Sequence, residues 1–198
     1  MSVALSVLTP GEPGFEKAIE QVAALRIAVF REWPYLYDGT AAFERWYITK
    51  LAEAEGAIIV AAKDGDDVIG VSTGMPLLSE HEELIGPFGE HGFEPAEVFY
   101  GAETVTLPKY RGRGLYREFL ERRRAHARRL GGFRWETFCG VVRPADHPLR
   151  DHAARPVEAV WERLGYRRVE GLTTGFSWKD LDEDEKSEKL MQFWVREL

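Results

Sequence analysis

The stretch Val105-Thr-Leu-Pro-Lys-Tyr-Arg-Gly-Arg-Gly-Leu-Tyr116 decides how this chain is read. An apolar run ends in it, a proline turns the chain, and two glycines alternating with arginines open an arginine-rich segment of helical spacing. Glycine permits positive φ, and its missing side chain lets a ligand reach the backbone amides. Amides at a helix N-terminus lack partners inside the helix and, with the helix dipole, attract anions. Arg111, Arg113 and Arg117 add positive charge, so the stretch is a candidate seat for a pyrophosphate. It is not the P-loop, which ends in Gly-Lys-Ser/Thr. Nor is it the dinucleotide fingerprint, since the third small residue and an enclosing early βαβ unit are missing. Taken alone, a glycine pair before a helix reads as an ordinary turn.

Working outward, Val98 to Leu107 reads as a strand. From about Gly114 to Leu130 a helix carries Tyr116, Phe119, Leu120, Ala127 and Leu130 at helical spacing. Upstream lie a short strand (Val3 to Leu8) and a helix (Phe15 to Arg31) with Phe15, Ile19, Val22 and Val29 near one face. Trp33 to Gly39 breaks that helix, and a second runs from about Ala41 to Glu55. Ala57 to Ala62 and Val68 to Thr73 flank an Asp-Gly turn and form a hairpin. Pro76 to Pro95 reads as an irregular, acidic surface excursion. Downstream come a strand (Phe133 to Val142) and a polar loop (Arg143 to Arg155). A helix follows with Val157, Val160, Trp161 and Leu164 at i, i+3, i+4 and i+7. An extended segment then starts at Tyr166, with strands at Leu172 to Trp178 and Leu190 to Val195. This order predicts a single α/β domain over residues 1–198 with a mixed sheet, since crossover helices favour parallel neighbours and hairpins give antiparallel ones.

In that order of elements, residues 105–115 closely resemble the central motif of the GNAT superfamily of N-acyltransferases. There a strand ends in a proline-containing turn and Arg/Gln-x-x-Gly-x-Gly/Ala opens a helix. Val160-Trp-Glu-Arg-Leu-Gly-Tyr166 resembles the superfamily's later motif, roughly Phe-Tyr-x-x-x-Gly-Phe. The resemblance implies a central mixed, mostly antiparallel sheet flanked by helices on both faces, acetyl-CoA or another short acyl-CoA as co-substrate, and an amine-bearing acceptor, small molecule or peptide; no metal is expected. It implies that Thr104, Val105 and Thr106 hold the pantetheine arm through their backbone. Arg111, Gly112, Arg113, Gly114, Leu115, Tyr116 and Arg117 would surround the pyrophosphate. Two departures stand out. The final Gly/Ala of the loop is Tyr116, whose ring either packs into the core with Phe119 and Leu120 or lies beside the pantetheine or acyl chain. The tyrosine often used as proton donor to the CoA sulfur aligns with Trp161, and an indole N–H has no practical acidity at neutral pH.

Acyl transfer to an amine needs a deprotonated amine, a polarised carbonyl, reactants held close and a protonated sulfur. Direct attack in a ternary complex, without a covalent enzyme intermediate, is the expected route. Glu103, inside an otherwise apolar strand, is the candidate base, or else an edge or ion-paired residue; Glu136 is the weaker alternative. Cys139 lies in an apolar strand and reads as a small buried hydrophobe. Asp146-His147 and Asp151-His152 sit in a loop without recognised ligand geometry and read as solvated, with the acceptor site as their minor alternative. Trp33, Tyr35, Tyr37 and Asp38 set aromatic rings beside a carboxylate, which suits a cationic amine; a loop covering the core explains them equally well.

Composition bounds the rest. Across 198 residues the apolar fraction is 44%, the charged fraction 30% and the net charge −7, which suits a globular protein and opposes one that coats nucleic acid. Arg122-Arg-Arg124 and Arg128-Arg129 then read as a solvated helix face, with Glu118 and Glu121 at pairing distance. A nucleic-acid module built on that helix is the third reading, behind an acyltransferase and a non-catalytic acyl-CoA sensor. One cysteine precludes an internal disulfide and suits a cytoplasmic protein. Neither a signal peptide nor a membrane span is expected. The strand-like C-terminus can pair within the chain or with a second copy, so a homodimer is carried as an expectation.

Overall fold

The computed structural model describes residues 3–154 and 156–198; Arg155, at the end of the expected polar loop, lies outside them. The chain runs β1 (Val3–Val7), α1 (Phe15–Phe30), α2 (Ala41–Glu53), β2 (Ile58–Asp64), β3 (Asp67–Pro76), α3 (Glu82–Glu90) and β4 (Val98–Thr106). It continues through α4 (Leu115–Leu130), β5 (Trp135–Val141), α5 (Glu158–Arg163), β6 (Arg167–Trp178) and β7 (Ser187–Glu197). The strands form one sheet in the order β1-β2-β3-β4-β5-β7-β6. Each neighbouring pair is antiparallel except β4 with β5, which the α4 crossover makes parallel. β7 is thus used within the chain, between β5 and β6. The expected α/β architecture, with helices on both faces, is the one observed.

Apolar residues of α1, α2 and α3 (Ile19, Val22, Ile48, Leu84, Phe88) form the larger core on one face. The other face is covered by α4, through Phe119 and Ala127 against β2 and Phe99, and by α5, whose Trp161 packs with Phe138 and Trp194. Between Thr73 and Met75 the β3–β4 register slips, so that Gly101 and Ala102 stand opposite Gly74 alone. Such a bulge re-aims the side chains after it. Beyond it Glu103 turns to the α1 face, where it meets Arg26, and Thr104 turns to the α4 face, where it meets Arg123.

Three expectations need correction. Pro76 to Pro95 is no surface excursion: it contains α3, and Leu77, Leu84 and Phe88 are buried. Leu84 and Phe88 share a helical face, and Phe88 packs on Phe93 and Phe193. Pro87 inside α3 lacks the N–H that would bond Glu83; the Thr174 hydroxyl from β6 donates to that carbonyl instead, at 3.0 Å. Second, the two extended segments after Tyr166 are one strand, β6, interrupted between Arg168 and Thr173 by a register shift. Third, the arginine run of α4 is not uniformly solvated. Arg123 is 1% exposed and Arg124 is buried.

Candidate active site

β4 and β5 pair only at Val98–Trp135, Phe99–Glu136 and Tyr100–Thr137. Beyond that point β4 stays with β3 and β5 with β7, so the two strands part and open a wedge. The edge of β4 from Gly101 onward therefore faces no strand, and half of its backbone polar groups point into the wedge.

The loop from β4 to α4 closes one end of this wedge. The Tyr110 hydroxyl donates to Asp64 Oδ2 (2.8 Å), and Arg111 Nε donates to the Thr106 carbonyl (3.0 Å) while its Nη2 reaches Glu32 (2.8 Å). Gly112 and Gly114 adopt φ of 75° and 86°, with no atom within 4 Å of where a Cβ would stand. No side chain caps α4, and its first backbone bond runs from Glu118 N to the Gly114 carbonyl. Among the described residues the Leu115, Tyr116 and Arg117 amides consequently have no acceptor. With Arg113 and Arg117 exposed beside them, these amides fit a pyrophosphate, and the free edge of β4 fits the amides of a pantetheine arm.

On the α4 face, Arg123 lies under Gly101, where an added Cβ would meet its guanidinium carbon at 2.3 Å. Its Nε pairs with Glu136 (2.9 Å), and its Nη1 faces Ser72 Oγ, the Thr73 carbonyl and Thr104 Oγ1. Arg124 Nε lies 3.6 Å from the same carboxylate, which also accepts from the Tyr166 hydroxyl. Glu136, the weaker base candidate, is thus fully enclosed by cations and a phenol. Tyr116 belongs to this face as well: its oxygen accepts a hydrogen bond from Trp161 Nε1 at 2.8 Å. Its ring packs with Leu120 and Trp161, while Phe119 joins a separate cluster.

On the α1 face, Arg26 pairs with Glu44 and, through Nη1, with Glu103 Oε2 at 2.5 Å. Burial opposes the Arg26 charge, but Glu103, Tyr47 and Glu44 outweigh it and hold its pKa above the ordinary range. Glu44 Oε1 and Glu103 Oε1 are buried without a hydrogen-bond partner among the described residues. Glu80, which follows the turn Leu77–Ser79 at the end of β3, lies near Glu103, Tyr47, Tyr100 and Cys139. Burial raises its carboxyl above the usual range, and it has no ion pair among the described residues. The sequence reading missed Glu80, because the segment holding it read as a surface loop. Burial pushes the Cys139 thiol up to about 12, and its sulfur lies 3.5 Å from the Tyr100 hydroxyl.

The four residues expected at the acceptor site are placed separately. Tyr35 points into the wedge, where burial, then Cys139 and Tyr116, raise its phenol and the Val141 amide faces its oxygen. The Tyr37 phenol is raised by burial and then by Glu44, which it faces. Asp38 lies between Lys179 (3.0 Å) and Arg31 (3.3 Å), and Trp33 packs against His147. What fixes this connection is Arg143, which the sequence placed in a polar loop. It donates to the Pro34 and Tyr35 carbonyls (2.7 and 2.6 Å) and to both oxygens of Asp180. The backbone completes the tie, from Asp38 N to the Lys179 carbonyl and from Leu181 N to the Leu36 carbonyl. His147, Asp180 and Asp182 bring ligand atoms within 4.8 Å of one another. Asp180 already accepts from Arg143 and from Trp178 Nε1, however. No helix among the described residues is long and apolar enough to cross a membrane.

No protein-family model matches the chain, and no curated protein matches it in sequence. Its fold does match solved structures. Arabidopsis thaliana NAA60 in complex with acetyl-CoA is 12% identical, with 100% of this chain and 99% of that one covered at a TM-score of 0.63. Mosquito arylalkylamine N-acetyltransferase like 5b is 16% identical, with both chains fully covered at 0.61. Ribosomal-protein-alanine N-acetyltransferase from Brucella melitensis is 11% identical, with 100% of each chain covered, also at 0.61. The likeness is one of fold: the chain has the architecture of the GNAT acetyltransferases.

Proposed function

We propose that the chain transfers an acetyl or other short acyl group from CoA to a primary amine. The observation that carries this reading is the wedge between β4 and β5, which leads from an unpaired strand edge to the open, positively charged N-terminus of α4. The amides of residues 115–117 and the side chains of Arg113 and Arg117 would hold the pyrophosphate; the β4 edge at Thr104, Val105 and Thr106 would hold the pantetheine arm. Bound there, CoA supplies the activated acyl group.

The acceptor amine is assigned to the α1 face, where Glu44, Glu80 and Glu103 outnumber Arg26 and the Tyr35 and Tyr47 rings supply apolar walls. Glu80 takes the amine proton. Glu103, the base expected from sequence, has one oxygen held by Arg26, and we assign it to attracting the ammonium form. The route is direct attack, since the Cys139 thiol stays protonated at neutral pH. An acyl-CoA sensor is the second reading, favoured by Trp161 at the usual tyrosine position. The nucleic-acid reading weakens because two of the six arginines of α4, Arg123 and Arg124, are buried. A panel of primary amines with acetyl-CoA, read by thiol release, tests the proposal: acceptor-dependent release supports the transferase, and binding without release supports the sensor.

A further inference from the structure

The acyl-transfer reading leaves one chemical requirement unassigned: a proton for the departing sulfur. Trp161 cannot supply it, yet Trp161 does something specific. Its ring packs against β5, where a Cβ at Gly140 would come within 2.8 Å of it, and its Nε1–H donates to the Tyr116 oxygen at 2.8 Å. That bond joins α5 to the first turn of α4 across the mouth of the wedge. The Tyr116 phenol has Arg123, under β4, on one side and Trp161, on β5, on the other, so it is held where the two strands part. With one lone pair taken by the indole, its own O–H donates to no protein group among the described residues. The charged and titratable groups facing it are Arg123, Glu136 and, from the α1–α2 connection, Tyr35.

From this geometry, and resting on the acyl-CoA reading above, we infer that Tyr116 is the proton donor to the CoA sulfur and that Trp161 is its positioning residue. As the amine nitrogen bonds to the acyl carbon and the carbon–sulfur bond breaks, the electron pair stays on sulfur and Tyr116 gives it a proton. The phenolate left behind is held by the Trp161 N–H and the nearby Arg123 charge. It regains a proton from solvent, where the proton lost by the amine is returned. Burial raises the phenol to about 12, against the opposing pull of Arg123 and Trp161, so the donor carries its proton at neutral pH.

The test titrates the thiol of bound CoA by the ultraviolet absorbance of its thiolate. A phenol donating to that sulfur lowers the thiol pKa, because a hydrogen bond to a charged group is strong. Tyr116→Phe is expected to raise the bound thiol pKa by about one to two units. It should also lower kcat at least about tenfold with KM for acetyl-CoA unchanged. Trp161→Phe, which keeps the phenol and loses its aim, should give a smaller shift in the same direction. If Tyr116→Phe does not fold, Trp161→Phe decides. A bound thiol that titrates as in the wild type in the folded variants overturns the assignment while leaving the acyl-CoA reading intact. Failure of the wild type to bind CoA at all overturns both.

Discussion

Arg123 and Arg26 are both buried beside β4, on opposite faces of the sheet, and their surroundings carry opposite charge. On the α4 face two arginines, Arg123 and Arg124, share the single carboxylate of Glu136. On the α1 face a single arginine, Arg26, is shared by Glu44 and Glu103, and Glu80 adds a further carboxyl nearby. The wedge runs between a side with surplus positive charge, suited to phosphates and a developing sulfur anion, and a side with surplus negative charge, suited to an ammonium group. Among the described residues both oxygens of Glu136 are taken on the α4 face, where Arg123 Nη2 is left unpartnered, whereas on the α1 face the unpartnered atoms include the carboxylate oxygens Glu44 Oε1 and Glu103 Oε1. We therefore expect the first to hold the fold and the second to serve the acceptor.

That contrast is easiest to break at Glu136. Glu136→Leu strips both arginines of their carboxylate and should cost about 3–5 kcal/mol in urea denaturation. A loss under 1 kcal/mol would mean that the α4 cluster is not structural. At Glu80 the effect should fall on rate. The amine needs an ionised acceptor, so activity should fall as pH drops through a Glu80 pKa lying above the ordinary carboxylate range. Glu80→Gln should remove that acid limb and lower kcat about a hundredfold or more; an unchanged profile would take Glu80 out of the mechanism. Glu103→Gln should be mildest. Arg26 keeps Glu44, so stability should change by about 1 kcal/mol or less, while KM for a cationic amine rises about tenfold and CoA affinity holds. A collapse in stability there would make the two faces alike.

Much of the fold can be read from the chain, because the hairpin, the β4–loop–α4 unit and the helical stripes are local signals. The proposed phosphate seat is legible for the same reason: its glycines and arginines are contiguous. What stayed hidden depends on distant partners. Inside helix α3 Pro87 leaves the Glu83 carbonyl without its helical donor, and Thr174, far along the sequence, supplies one. Arg143 reads as loop until the fold sets Asp180 and two carbonyls around it. Arg26 and Arg123 did leave a signal that could have been used. Arg26 stands four residues after Val22 and Arg123 four after Phe119, so each interrupts the apolar stripe of its helix. A charge in such a stripe must find a buried partner. The Trp161–Tyr116 bond was beyond reach, since only the tertiary fold brings α5 to the first turn of α4.

If the two sides of the wedge take two reactants, free thiol release from acetyl-CoA across a panel of primary amines at neutral pH will reveal it. Release should require the protein, acetyl-CoA and a cationic amine together, and should weaken in Glu80→Gln. Tight binding of acetyl-CoA with release no faster than in buffer for every amine would contradict it.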